Sequence, residues 1–474
     1  MNKTNNNFND QAIREFSHKK RASFSGKLGF VLAAAGSAVG LGNLWRFPYL
    51  AAKYGGGIFI FTYVALALLF GLALLMLEIS IGRYTGKSVI GAFTTLNKKF
   101  KWFGYACVIV PLIIVPYYCV IGGWVVKYCF SYIVGSEGLV GAMPEQTGAF
   151  FSNFISNPWQ PLVFFLIFAL STVIIVAFGV QKGIEKMSKI LMPALACIAI
   201  FLMIYVVCQP GAIDGWKYAL VPDFSKFSFG TVLGALGQLF YSLSIGMCIM
   251  ITYGSYMKKE VKITSSSAQI AIFDSLFALV ASLIVIPAVC AFGGGVGVFD
   301  TPAGKGPSLM FIQLANVFNA LPAGRVIGVI FFVLVFFAAV TSSVSLVESI
   351  VAVLCDGNRM KRVTACAIVF AAILVLGTLS SLGFGVLSGV SLNYNGSAMS
   401  ILDMFDFLAN NILMPIVAII TCVIAGWFID KKLLPKEIGI DKNKGASLYF
   451  NVIIRYVAPI CILLILVTGL FITL

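Results

Sequence analysis

Long apolar runs alternate with short polar segments along the whole chain. Each run approaches the roughly 20 residues that a helix needs to cross a bilayer, and clusters of Pro, Gly and charged residues separate the runs. Residues 1–27 are polar and lead directly into the first run, so no cleavable signal peptide is predicted. The pattern predicts eleven spans, near 28–50, 58–82, 103–133, 160–179, 188–208, 227–256, 268–292, 323–355, 361–383, 399–429 and 447–473.

Composition places the chain among multi-pass membrane proteins. Of its 474 residues, 60% are hydrophobic and 11% are charged, whereas a soluble domain carries about 25% charged residues. A large soluble protein, a disordered chain and a secreted disulfide scaffold are therefore excluded. The 11 cysteines are scattered through apolar segments, and the single histidine, His18, lies in the polar tail. The sequence therefore offers few residues for a metal site or a Ser/His catalytic pair, and we do not predict an enzyme.

Basic residues are sorted between alternate loops. A net charge of +15 would suggest a nucleic-acid partner in a soluble protein. Here 25 of the 33 Lys and Arg residues lie in the tail and in every second connection, against four in the opposite loops. This bias predicts a multi-pass protein of the cell (inner) membrane, with the N-terminus in the cytoplasm and the C-terminus outside. We expect the protein to contact the lipid bilayer and not a nucleic acid.

Two spans are interrupted by glycines and small polar residues at bilayer depth. The interruptions are residues 36–48 (GSAVGLGNLWRFP) and 238–247 (QLFYSLSIGM). Unwound backbone inside a bilayer is tolerated only where it is buried or lines a cavity, although close helix packing explains an isolated case as well. These two lie in the first span of each of two five-span sets, and because five is odd the second set is inverted. Paired breaks in an inverted repeat indicate the substrate and ion site of a secondary transporter.

Polar residues near the breaks suit such a site. Free N–H groups at a half-helix end attract a carboxylate, and free carbonyl groups attract a cation. Asn43, Ser242, Asp274 and residues 341–343 add amide, hydroxyl and carboxylate oxygens. A single hydroxyl more often bonds to its own helix, so the prediction depends on the whole cluster.

These segments closely resemble the neurotransmitter:sodium symporter family, particularly its bacterial amino-acid transporters with eleven spans. The resemblance covers essentially residues 21–430 and implies an all-α polytopic membrane protein. In that fold, two inverted five-helix repeats have discontinuous first and sixth helices, and one extra helix follows at the C-terminus. The motifs are 36–48 with Gly55-Gly56-Gly57, Tyr117-Tyr118, 238–244, 251–256, 341–343 and 402–406. The implied organisation is a cytoplasmic tail with an inner gate (1–27), a first repeat (28–209), a second repeat (227–430) and an eleventh helix (447–474).

The resemblance implies two Na⁺ sites and one substrate site. Sodium site 1 would use Ala38, Asn43, Ser242 and Asp274 together with the carboxylate of the substrate. Sodium site 2 would use Gly36, Val39, Ala338, Thr341 and Ser342. The substrate would contact Ala38, Gly40, Gly42, Ile114, Tyr118, Tyr241, Ser242, Ser244, Met247, Ser342 and Leu346. Gly40 stands where monoamine carriers of the family place an Asp, which favours an α-amino acid.

Gates and an anion site are also implied. Arg46 and Asp406 match the ion pair of the extracellular gate. The intracellular gate would comprise Arg21, Phe24, Tyr256 and Asp356. The chloride ligands of the family correspond to Tyr63, Gln238, Ser242 and Asp274. Because Asp274 replaces the usual Asn, its own negative charge predicts transport without a chloride requirement.

The predicted function is that of a sodium-coupled symporter that imports a hydrophobic or aromatic L-amino acid by alternating access. Met247 favours an adaptable apolar pocket, since methionine is flexible. The alternative is a sodium-dependent channel or ligand sensor of the same fold without coupled transport. The physiological amino acid and the oligomeric state are left open by the sequence.

Overall fold

The computed structural model describes residues 22–301, 304–358, 360–394 and 397–471. Within these ranges nine single helices are long and apolar enough to cross a bilayer, and the first and sixth spans each consist of two shorter helices. The number and order of the spans agree with the prediction. They are Lys27–Ala38 with Gly42–Lys53, Gly57–Thr85, Lys98–Val134, Gln160–Ala177, Val180–Val207, Phe229–Ser242 with Ile249–Ser255, Ile263–Phe292, Gly324–Asp356, Arg362–Leu382, Ile401–Phe428 and Lys444–Leu470.

The first span bends by 55° between its two helices. Its first helix ends at Ala38, and Val39 adopts an extended conformation. The chain resumes as a wide π-helical turn at Gly42–Arg46, followed by a helix with Pro48 in its first turn. Because glycine weakens a helix by about 1 kcal/mol, the residues of this segment favour an interruption at this depth.

The sixth span is interrupted more completely, over residues 243–248. Ser244, Gly246 and Cys248 all adopt positive φ angles, of 54°, 78° and 65°. Non-glycine residues in this region are strained by about 1–2 kcal/mol each, so the surrounding structure must hold the backbone in place. The prediction of two discontinuous helices is confirmed.

The second span crosses the inner half of the sixth at very short range. A Cβ atom at Gly82 would overlap the carbonyl oxygen of Ile251, and one at Gly254 would overlap the carbonyl oxygen of Ile79. The two glycines therefore let the backbones of Gly57–Thr85 and Ile249–Ser255 lie in direct contact, as small residues do between membrane helices.

Connections between spans gather at the two ends of the bundle. We call the end that carries the connections after the second, fourth, sixth, eighth and tenth spans the basic face, and the other end the opposite face. A two-stranded antiparallel hairpin on the opposite face pairs Leu392 with Met399 and Tyr394 with Ser397. The shorter helices are Val89–Leu96, Pro144–Ser156, Ala212–Leu220, Phe224–Lys226, Val296–Asp300, Gly306–Ser308, Leu309–Gln313, Leu314–Ala320 and Leu433–Ile438.

We expect Gly82→Ala to destabilise the protein by about 1–3 kcal/mol, because the added methyl group overpacks a backbone contact. Gly148→Ala is the matched control, since no atom lies within 4 Å of a Cβ at that helical position. Thermal unfolding of both purified variants in detergent, followed by intrinsic fluorescence, measures the difference. Equal melting temperatures for the two variants would show that the crossing is not tight.

Candidate functional site

A small cavity lies between the two breaks. Its volume is about 30 Å³, room for only a few water molecules. Every residue that the sequence predicted for the substrate lines it, and Ser37, Leu41, Asn43 and Ile249 complete the wall. The predicted set is Ala38, Gly40, Gly42, Ile114, Tyr118, Tyr241, Ser242, Ser244, Met247, Ser342 and Leu346. The structure thus brings together residues from the first, third, sixth and eighth spans.

The carboxylate of Asp274 is the centre of one polar cluster beside this cavity. Asp274 is fully buried on the seventh span. Its Oδ1 accepts hydrogen bonds from Asn43 Nδ2 at 2.8 Å and Ser242 Oγ at 2.6 Å, and its Oδ2 accepts one from the Tyr63 hydroxyl at 2.6 Å. Donors from three other spans thus compensate a charge that is costly in a membrane. Ala38 lines the adjoining cavity wall, so all four residues predicted for sodium site 1 lie together.

Two of the predicted chloride ligands, Tyr63 and Ser242, contact the same carboxylate, and Gln238 lies close by. Tyr63 and Ser242 donate to the carboxylate directly. Gln238 lies one helical turn before Ser242, and its Nε2 donates to the carbonyl oxygen of Gly42 at 3.4 Å. The Gln238 Oε1 atom is buried and has no hydrogen-bond partner among the described residues. Tyr63 and Ser242, two of the predicted chloride ligands, therefore bind the carboxylate of Asp274.

A second oxygen cluster lies where the eighth span passes the break of the first. The Ser342 hydroxyl is 3.3 Å from the carbonyl oxygens of both Gly36 and Val39. The Thr341 hydroxyl donates to the carbonyl oxygen of Ala338 at 3.0 Å. The Thr341 Cβ would lie 3.2 Å from a Cβ at Gly36, so Gly36, Val39, Thr341 and Ser342 meet here, and Ala338 lies one helical turn before Thr341. Neutral hydroxyl and carbonyl oxygens are ligands that suit an alkali cation.

The glycines of the first break leave its backbone uncovered toward the cavity. A Cβ at Gly40 would lie 2.6 Å from Ser342 Oγ and 3.1 Å from the Tyr118 hydroxyl. One at Gly42 would lie 2.5 Å from the Tyr241 ring. Any side chain at these positions would fill the cavity. The Tyr118 hydroxyl accepts a hydrogen bond from the Leu41 backbone N–H at 3.3 Å, which ties the third span to this break.

The predicted gate residues of the opposite face share a larger cavity of about 430 Å³. The predicted ion pair is not formed: among the described residues, no direct bridge within 4.0 Å joins Arg46 to Asp406. The Arg46 guanidinium instead lies 5.4 Å from the centre of the Tyr241 ring, a cation–π contact. Asp406 accepts a hydrogen bond from Asn410 Nδ2 at 2.6 Å. Aromatic and amide groups of the same cavity thus compete for the two charges.

On the basic face, the segment before the first span closes the bundle. Phe24 is 1% exposed and packs edge-on against the rings of Phe30, Tyr253 and Tyr256. Its backbone N–H donates to the carbonyl oxygen of Tyr256 at 3.1 Å. Asp356 accepts a hydrogen bond from the Ser88 N–H at 2.7 Å. Arg21, the fourth predicted residue of this gate, lies outside the described residues.

The sequence profile of the sodium:neurotransmitter symporter family matches residues 21–136 and 153–473. The chain belongs to this family. It is therefore a multi-pass, sodium-dependent symporter, and its family comprises transporters and not enzymes.

Similar proteins cover nearly the whole chain. An uncharacterized sodium-dependent transporter of Bacillus subtilis (strain 168) is 36% identical over 453 residues, which are 95% of this chain and 98% of that protein. Another, of Haemophilus influenzae, is 32% identical over 96% of this chain and 99% of that protein. The crystal structure of MhsT in complex with L-phenylalanine is 35% identical, with a TM-score of 0.84, covering 95% of this chain and 100% of that one.

Glu78 is a buried residue of this symporter that the sequence analysis missed. It lies on the second span, is 2% exposed, and its Oε1 accepts a hydrogen bond from the Gly246 N–H at 2.8 Å. The carboxylate therefore satisfies a backbone donor freed by the break of the sixth span. An isolated acidic residue within an apolar run was the available signal, because ionisable residues are rare inside membrane spans and mark candidate functional positions.

Two further carboxylates on the basic face were also missed. Glu185 accepts hydrogen bonds from the N–H and hydroxyl of Ser25 and pairs with Lys189 at 2.7 Å. Glu348 is fully buried, pairs with Arg362 and accepts a hydrogen bond from the Tyr256 hydroxyl at 2.7 Å. These contacts hold the segment before the first span and the end of the sixth span against the fifth and eighth spans.

We expect Gly40→Ala to lower sodium-dependent uptake of the substrate by tenfold or more. The added methyl group occupies the space between Ser342 and Tyr118, and tenfold corresponds to about 1.4 kcal/mol. Gly148→Ala is the matched control, since a Cβ there meets no atom within 4 Å and the residue lines none of the cavities described for this structure. Uptake into proteoliposomes measures both variants. Wild-type uptake by Gly40→Ala would contradict a binding site at this break.

Proposed function

We propose that this symporter imports a hydrophobic or aromatic L-amino acid together with Na⁺ by alternating access. The observation that carries the proposal is one cavity flanked by two oxygen clusters, with exposed backbone on one side and apolar side chains on the other. The Gly40 and Gly42 backbone suits the carboxylate of the substrate. Ile114, Met247 and Leu346 suit an apolar side chain. The phenylalanine bound by the related MhsT supports this class of substrate.

The cavity must widen to admit such a substrate, because about 30 Å³ is far below the size of an amino acid. Met247 lies in the interrupted segment of the sixth span, where helical hydrogen bonds do not hold the backbone. Its unbranched side chain adapts readily to different shapes. We infer that substrate binding displaces Met247 and the Tyr241 ring and leaves the two oxygen clusters in place.

Two Na⁺ ions are proposed, one at each oxygen cluster. The first ion would be held by Ala38, Asn43, Ser242 and Asp274 and would contact the carboxylate of the substrate. The second would be held by Gly36, Val39, Ala338, Thr341 and Ser342. Since the first ion and the substrate would attract each other directly, neither would bind well alone, and this is the basis of coupling.

Orientation follows from the charge bias. We propose that the basic face is cytoplasmic and the opposite face extracellular in a cell (inner) membrane. Residues 28–209 and 227–430 would then form the two inverted repeats, with 447–474 as the additional helix. Arg46 and Asp406 would act in the extracellular gate, and Phe24, Tyr256 and Asp356 in the intracellular gate together with Arg21.

A counterflow experiment distinguishes a carrier from a channel or a ligand sensor. Proteoliposomes loaded with unlabelled L-phenylalanine and Na⁺ are diluted into a trace of labelled L-phenylalanine. A carrier accumulates label transiently by exchange, whereas a channel equilibrates it and a sensor takes none up. Absence of an overshoot at every Na⁺ concentration would contradict the proposed symport.

We expect Asn43→Ala to weaken L-phenylalanine binding and Na⁺ binding together, by about tenfold or more each, since a hydrogen bond to a charged group is worth about 1.5–3 kcal/mol. Equilibrium binding of labelled L-phenylalanine across a Na⁺ series measures both effects. The exposed Asn153→Ala is the control. Normal L-phenylalanine affinity of Asn43→Ala without Na⁺ would refute direct coupling.

Uptake is expected to persist when gluconate replaces chloride, because Asp274 already places a negative charge among the predicted anion ligands. In Asp274→Asn that charge is lost, and we expect uptake to fall and to become chloride-stimulated. Initial rates in paired chloride and gluconate buffers measure this. Wild-type uptake that collapses in gluconate would overturn the role assigned to Asp274.

A further inference from the structure

A third cavity opens on the opposite face, beyond the end of the first span. Its volume is about 450 Å³, within the range of small-molecule sites. Its wall includes Lys53 and Tyr54 from the first span, Tyr218 and Lys226 from the connection before the sixth span, and Asp300 from the connection after the seventh. None of its lining residues is shared with the central cavity or with the Arg46 cavity.

Two ammonium groups at this cavity are only weakly neutralised. The Lys53 Nζ lies 5.3 Å from the centre of the Tyr54 ring, and no carboxylate of the described residues lies within 4.0 Å of it. The Lys226 Nζ lies 5.0 Å from the centre of the Tyr218 ring and 4.0 Å from Asp223, at the limit of an ion pair. Both cations therefore retain capacity for a carboxylate. Asp300 contributes a negative charge to the same wall.

The aromatic walls are fixed before any ligand arrives. The Tyr218 hydroxyl donates to the carbonyl oxygen of Ala52 at 2.6 Å. The Tyr54 ring packs on the sixth span, where Cβ atoms at Gly230 and Gly234 would lie 3.1 and 2.8 Å from it. Contacts within the protein thus hold both rings, so binding would cost little ordering of these side chains.

We propose that this cavity binds a zwitterionic amino acid before it enters the central site. The carboxylate would lie between Lys53 and Lys226, the ammonium would face Asp300, and the side chain would pack against Tyr54 and Tyr218. A simple anion would be opposed by the Asp300 charge, and a simple cation by the two lysines. Only a ligand that carries both charges complements the whole wall.

The position of the cavity along the first span fits a staging role. Lys53 follows Arg46 by seven residues, which is two helical turns on the same stripe and about 10 Å along the axis. Arg46 in turn follows Gly42, at the end of the break, by four residues. A carboxylate that moved along this stripe would meet Lys53 first, then Arg46, and then the free backbone of the break. A staging role rests on the proposed function, in which an amino acid is the substrate of the central site.

Lysine acetylation of the full-length protein in lipid nanodiscs tests the site directly. The Asn43→Ala variant is labelled without Na⁺, so that occupancy of the central site is minimised, across a concentration series of L-phenylalanine. Mass spectrometry measures acetylation of Lys53 and Lys226 relative to Lys217. Lys217 is the matched control because it is exposed, weakly paired with Asp214 and absent from the cavity wall. The ratio also corrects for reagent that the amino acid consumes.

We expect saturable protection of Lys53 and Lys226 by at least threefold, with Lys217 unchanged. Acetate and phenethylamine, which carry one charge each, should protect less. Equal labelling ratios with and without L-phenylalanine would overturn the proposal. Equal protection by acetate would also overturn it, in favour of a plain anion site. Because the readout is independent of uptake, protection without counterflow would support this site and contradict the proposed symport.

Kinetics supply a second readout. The double variant Lys53→Gln/Lys226→Gln should raise the KM for L-phenylalanine uptake at least threefold with Vmax unchanged, and Lys217→Gln should change neither. Long-range steering cannot account for such a shift, since a zwitterion has no net charge. An unaltered KM in the double variant would refute a staging role.

Discussion

The buried charge of Asp274 is the constraint on which the centre of this molecule depends. A carboxylate at bilayer depth is stable only with several donors, and here they come from Asn43, Tyr63 and Ser242. These donors lie on the first, second and sixth spans, so one side chain of the seventh span links four helices. The two breaks are held against each other by the same contacts. Loss of this charge would therefore alter the geometry of the cavity as well as its electrostatics.

Much of the architecture could be predicted from the sequence because the bilayer imposes strict rules. Spans need length and low charge, and backbone interruptions need glycine and small polar residues at matched positions. The eleven spans, both breaks and the gathering of the cavity residues were all predicted. The family motif supplied the residue-by-residue detail, since periodicity alone does not indicate which hydroxyl among Thr341, Ser342 and Ser343 faces a given carbonyl.

Contacts that depend on side-chain geometry were predicted less well. The family resemblance implied a pairing of Arg46 with Asp406, but the Arg46 guanidinium lies over the Tyr241 ring and Asp406 accepts a hydrogen bond from Asn410. Glu78 was missed because its role depends on where the sixth span unwinds, 168 residues later. Neither the partners of Arg46 and Asp406 nor the hydrogen bond of Glu78 can be predicted from residue spacing along the chain. Both follow from which groups the packed spans leave adjacent.

The close crossing at Gly82 and Gly254 limits how the sixth span can move. Backbones in direct contact leave no layer of side chains to slide over, so shear between the second span and the inner half of the sixth is disfavoured. The hydrogen bond from Gly246 to Glu78 extends the same attachment up to the interruption. These two elements should therefore rotate as one rigid body, with the change in backbone angles absorbed by the strained residues 243–248. Any bending of the sixth span would then have to occur within residues 243–248, where Ser244 and Met247 also line the cavity.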